Sequence, residues 1–111
     1  MHDRTTRSTK GPTTAEEEAY SFHVQAANFA TGGKWPQAAE AWEAATELDP
    51  TNGTYWYYRG ISSQKQERVL DAEKCWKRGS KLGHTQAGEL LAVVRSKRAQ
   101  EVSHAHTQPH T

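Results

Sequence analysis

Cysteine is almost missing from this 111-residue chain, and so are methionine and any long apolar run. The single Cys75 excludes an internal disulfide framework and fits a reducing compartment. No stretch approaches the ~20 apolar residues that a membrane span requires. The opening MHDRTTRSTKGPTT lacks the apolar segment of a secretory signal. A soluble, cytoplasmic chain with no membrane partner is expected. Hydrophobic residues make up only 34% of the sequence and mean hydropathy is −0.95, which rules out a large core. Catalytic signatures are lacking too: there is no Ser-His-Asp order, no phosphate-cradling Gly-rich loop and no supported pair of carboxylates. The chain is expected to be non-enzymatic and without a cofactor. His2, His104, His106 and His110 have loose spacing and no Cys or carboxylate set to complete a tetrahedral site, so no metal is expected either.

What is present is aromatic. Four Trp, four Tyr and two Phe offset the thin apolar content, because each ring buries roughly 150–250 Å². Many are paired with small residues at a fixed offset. Phe22 is followed 34 positions later by Trp56, and Ala26 by Gly60. The same offset links Trp35 to Val69, Ala38 to Ala72, Trp42 to Trp76 and Ala45 to Gly79. Large stays large and small stays small. Ala38, Trp42 and Ala45 share one helical stripe, and Ala72, Trp76 and Gly79 repeat it. Small residues where helices cross let the axes approach, and an indole fills the space one turn away. Phe22, Ala26 and Phe29 supply the facing stripe, with Trp56, Gly60 and Ser63 in the second unit.

Punctuation places the elements. Thr14 and Glu17 form a capping box that opens a first helix ending near Thr31 at Gly32-Gly33. Trp35-Pro36 opens a second helix, with Pro in the first turn where its missing N–H costs nothing, and Asp49-Pro50 closes it. Asn52 or Thr54 caps a third helix to about Lys65, and QKQER is a polar turn. A fourth helix spans about Val69 to Lys81 before Gly83. Thr85 is placed to cap a fifth, whose Leu90, Leu91, Val93 and Val94 offer an apolar face. The expected organisation is a disordered tail (1–14), two helix hairpins (15–50 and 51–84), a capping helix (85–101) and a second disordered tail (102–111).

These residues, together with Pro50, resemble the signature of tetratricopeptide-repeat proteins, whose unit is 34 residues long. The likeness covers about Ala19 to His84, two units. Gln25 and Arg59 depart from it, standing where the family usually has Leu. The resemblance implies an all-α superhelix of antiparallel hairpins with about five helices. It also implies a concave groove lined by the first helix of each pair, which receives an extended peptide or a partner helix. The matching positions are Tyr20, His23, Val24 and Ala27 in the first unit, and Tyr57, Tyr58, Ile61 and Lys65 in the second. With Trp56 directed into its helix pair, Tyr57 and Tyr58 must point elsewhere, either into the groove or onto the fifth helix. His23, Ala27 and Tyr58 cannot form the Lys/Asn clamp with which some relatives of that family hold chaperone tails.

Charge is uneven although the net is +1. Acids dominate from Ala15 to Pro50, while from Thr51 onward bases outnumber acids about two to one. Lys74, Lys77, Arg78 and Lys81, with Arg95 and Arg98, are either a solvated face or contacts for an acidic partner. The expected function is a protein-binding adaptor or chaperone-like module. The alternative is a small regulator of transcription or nucleic acid that uses the basic half. Two units are fewer than the three usually needed for stability, so a monomer or a weak homodimer is expected. The dimer contact would run through Leu90, Leu91 and Val94.

Overall fold

The computed structural model describes residues 14–106, with side chains described over 14–101. The backbone forms five helices: α1 (Ala15–Thr31), α2 (Trp35–Leu48), α3 (Gly53–Lys65), α4 (Val69–Lys81) and α5 (Thr85–His106). No strand occurs among the described residues. The class is all-α and the arrangement repeat-like: α1 packs on α2, α3 on α4, α2 on α3, and α4 on α5.

Local chemistry sets each boundary. The Thr14 hydroxyl accepts from the Glu17 N–H (3.1 Å), and the Glu17 carboxylate accepts from the Thr14 N–H (3.0 Å), closing the capping box. Glu16, Glu17 and Glu18 in the first turn complement the positive end of the helix dipole. α1 ends where Gly33 takes φ +74° and the Lys34 N–H donates back to the Phe29 carbonyl (2.9 Å). The hairpin of α3 and α4 turns the same way 34 residues later. Glu67 adopts φ +63°, and the Arg68 N–H donates to the Ser63 carbonyl (2.8 Å). Asn52, not Thr54, caps α3, accepting from the N–H groups of Thr54 and Tyr55. His84 takes the capping role expected of Thr85, its Nδ1 accepting from the Ala87 N–H (3.1 Å). α5 runs five residues past position 101, to His106. Residues 1–13 and 107–111 of the expected tails lie outside the described residues.

The core is a row of indoles set against small side chains. Ala26, Ala38, Ala41 and Trp42 form one buried cluster, with Phe22, Phe29, Ala30 and Trp35 packed on it. Ala72, Trp76, Ala87 and Leu91 form another. Trp42 is 2% exposed and Trp76 is 0% exposed. At about 25 cal/mol per Å², each ring contributes about 5 kcal/mol of burial as an upper bound. The tightest fit of ring on backbone is at Gly60, where a Cβ would lie 2.6 Å from Trp76 Cδ1. A third cluster joins the hairpins: Tyr55 from α3 is buried against Ala19 of α1 and Ala45 of α2.

Two expectations are corrected here. Trp56 does not enter the core as Phe22 does. It is half-buried, its indole N–H donates to the Pro50 carbonyl (2.8 Å), and the guanidinium groups of Arg59 and Arg78 lie 5.1 and 5.6 Å from its ring. The inner space at this level is filled by the neighbouring Tyr55 instead. The α5 face of Leu90, Leu91 and Val94 is not left for a second copy, because it covers Trp76 within the chain.

Candidate functional site: a concave aromatic pocket

Between α1, α2 and α3 lies a pocket of ≈ 290 Å³ lined by His23, Ala27, Ala30, Trp35, Trp42, Tyr58 and Ile61. It exists because α1 presents only Ala27 and Ala30 there. Side chains that small leave space between His23, Trp35 and Tyr58 beside the Trp42 indole, which is itself only 2% exposed, while the helices still meet at Ala26 and Ala38. Tyr58 forms one wall, stacked on Trp42 with centroids 5.3 Å apart and planes 13° from parallel. His23 sits beside this stack, accepting the indole N–H of Trp42 on Nδ1 (2.9 Å). Burial holds the His23 imidazole below its ordinary pKa, so it is neutral at physiological pH and able to accept that bond. Trp35 closes the far end, with the Lys65 ammonium 5.5 Å from its ring centroid.

Of the eight residues expected to face the groove, His23, Ala27, Tyr58 and Ile61 line this pocket, and Lys65 stands at its edge on Trp35. Tyr20 (60% exposed) and Val24 lie on the open surface of α1, Tyr20 with its ring 6.0 Å from His23. Tyr57 and Tyr58 go different ways. Tyr57 packs on the cluster under α5 and stacks on His84 at 4.6 Å, whereas Tyr58 faces the pocket. Trp35, Trp42 and Ala30 belong to the site although their spacing marks them only as core. The one available signal was the pair of alanines, 27 and 30, too small to fill the space between the rings.

The basic residues separate into two groups. Arg95 Nε lies 3.3 Å from Glu73 Oε2, and Arg98 pairs with the other oxygen of the same carboxylate. Both are therefore engaged within the chain. Lys74 lines a polar pocket on the opposite side of α3 with Arg59, Arg68, Glu43, Asp71 and Cys75, where acids and bases are mixed. Arg59 is fixed there by the Thr46 hydroxyl (2.8 Å), which in turn donates to the Glu43 carbonyl. Arg78 lies on Trp56, while Lys77 and Lys81 are exposed. Burial pushes the Cys75 thiol up to about 11, so it stays protonated and is a poor nucleophile.

Among the described residues, no group of three His, Cys, Asp or Glu side chains is placed to hold a metal. The side chains of His2, His104, His106 and His110 lie outside the described set. No described helix is long and apolar enough to cross a membrane. Fold and site together define an all-α protein of stacked helix hairpins with an aromatic pocket between α1, α2 and α3. No protein-family model matches the chain, and comparison with curated proteins finds no significant relative.

Proposed function

We propose that the chain is a non-enzymatic, cytoplasmic protein-interaction module of the tetratricopeptide kind, an adaptor or chaperone-like domain. It holds an extended peptide or a helix on its concave face. The observation carrying this reading is the pocket beside Trp42. It is apolar, of a size for one large side chain, and walled by rings whose positions are fixed by stacking. A preformed aromatic socket loses little entropy when an anchor enters it, which is how buried hot spots gain affinity. Tyr20 and Val24 extend the apolar surface along α1 beyond the socket.

The test is capture of partners from a native lysate, identified by mass spectrometry, with variants as controls. Ala27→Arg fills the mouth of the pocket from an exposed position and should abolish capture, leaving helicity and Tm within a few degrees of wild type. Tyr58→Ala should weaken capture at least tenfold, with a modest fall in Tm because its stack on Trp42 is lost. Equal capture by wild type and Ala27→Arg would remove the pocket from the function.

The regulator reading rests on Lys74, Lys77 and Lys81 of α4, since Arg95, Arg98 and Arg78 have intrachain partners. Binding to duplex DNA that vanishes in moderate salt and in Lys77→Glu would favour it. The pocket has no role in that alternative, so the two readings separate cleanly.

A further inference from the structure

The outer faces of α2 and α4 carry opposite charges at matching positions. Glu40, Glu43 and Glu47 of α2 are followed 34 residues later by Lys74, Lys77 and Lys81 of α4. Each trio stands at i, i+3 and i+7, one stripe of its helix. All six side chains are exposed, and the stripes point away from the core, opposite Trp42 on α2 and Trp76 on α4. The two helices flank a polar groove floored by α3, with Glu43 on one wall and Asp71 and Lys74 on the other. An acidic ridge therefore runs beside a basic one.

Contact with water alone does not account for this segregation. Glu43 and Glu47 are like charges four residues apart, as are Lys77 and Lys81, and such pairs destabilise a helix. Glu47 also stands in the last turn of α2, at the negative end of the dipole, where that helix has no base. Mixed signs would suit a solvated face better. Among the described residues, the ion pairs involve none of the three lysines. Of the three glutamates only Glu43 has one, with Arg59 at 3.9 Å, and its side chain stays 53% exposed. Two further charges of α4 are turned elsewhere: Glu73 meets Arg95 and Arg98, and Arg78 lies on Trp56.

We infer that these stripes are the contact surface for a second copy of this chain, in a two-fold dimer that sets α2 of each copy on α4 of the other. The symmetry follows from the charges. As second helices of successive hairpins, α2 and α4 run in the same direction, so positions 34 apart lie level. A two-fold axis parallel to both helices, midway between them, brings α2 over the partner's α4 without reversing it. Glu40 then faces the partner's Lys74, Glu43 the partner's Lys77 and Glu47 the partner's Lys81, and each pair occurs twice. An axis across the helices would set α2 on α2, glutamate against glutamate. The closed pair leaves no stripe unmatched, so no filament grows.

Two helices about 20 Å long bury less than the ~800 Å² per partner of a standard interface. The dimer is therefore weak, held by charge and sensitive to salt. It does not use the aromatic pocket, none of whose lining residues belongs to either stripe.

The experiment is analytical ultracentrifugation of the untagged full chain, from about 0.01 to about 0.5 mM, in about 0.02 M and about 0.5 M salt. In low salt the mass should climb from 12.4 kDa toward twice that value, and high salt should raise the dissociation constant at least about tenfold. Glu40→Lys/Glu47→Lys and Lys74→Glu/Lys81→Glu should each stay monomeric (Glu43 is spared because it also meets Arg59). An equimolar mixture of the two variants should dimerise, and so should the chain carrying all four changes. Circular dichroism checks that each is as helical as wild type. Should a variant unfold, carbodiimide cross-linking of mixed ¹⁴N and ¹⁵N wild-type chains decides the matter, linking Glu40 to Lys74 and Glu47 to Lys81 between light and heavy copies. A wild-type chain monomeric throughout in low salt overturns the dimer, as do cross-links confined to single chains. So does dimerisation of both single-stripe variants, or a mixture of the two folded variants that fails to associate, which would leave the stripes to partners of another kind.

Discussion

In the first hairpin the Trp42 indole lies beside Ala26 and gives its N–H to the side chain of His23. In the second, 34 residues on, Trp76 lies beside Gly60 and gives its N–H to the backbone carbonyl of Tyr57 (3.1 Å). Tyr57 is the positional counterpart of His23, and Gly60 that of Ala26. Removing one methyl group lets the second indole sink to the helix backbone, where a carbonyl replaces the imidazole as acceptor. The two indoles are buried alike, 2% and 0% exposed, but the first borders the pocket of His23, Ala27 and Tyr58. A one-carbon difference thus separates a hairpin whose indole is held by the backbone from one whose indole is held by an imidazole.

The strongest way to break this comparison is Gly60→Ala. The new Cβ would meet the Trp76 ring and force it outward, costing about 3 kcal/mol in chemical denaturation. The matching change in the other hairpin, Ala26→Gly, should cost only about 1 kcal/mol, the helix-propensity difference. Equal costs would show that the depth of the indole does not depend on the missing methyl. Next comes Trp42→Phe, which removes the donor to His23 as well as ring area. It should cost about 2 kcal/mol and raise the pH at which His23 titrates, as followed by NMR. The smallest effect is a gain. Glu67 holds a positive φ where the first hairpin has Gly33, so Glu67→Gly should stabilise by about 1 kcal/mol. A loss there would mean that the Glu67 side chain makes a contact outweighing its backbone strain.

The five helices were legible because recurring small residues and their caps are local features. Ala38 and Ala72, or Trp42 and Trp76, carry the packing rule in their own identity and spacing. The seam between hairpins was not legible in the same way. TYWYYRG places rings at four of five successive positions from Tyr55 to Arg59, and helical geometry alone does not say which of them meets Ala19 and Ala45. Size matching favoured Trp56 as the heir of Phe22, but the longer indole reaches outward to Pro50 while Tyr55 fills the gap. The pairing of Glu73 with Arg95 and Arg98 spans 22 and 25 residues and leaves no periodic trace. In the pocket, His23, Ala27, Tyr58 and Ile61 could be placed by family likeness, because each lies on a first helix. Trp35 and Trp42 come from the second helix and border the pocket where Ala27 and Ala30 leave space beside them.

Tyr55 gives the molecule a further property. It belongs by sequence to the second hairpin yet completes the interior of the first, and Arg59 reaches across the same boundary to Thr46. Neither half can therefore melt and leave the other whole. The protein should unfold in a single cooperative step, as one thermodynamic unit, where a longer array of similar modules would fray inward from its ends.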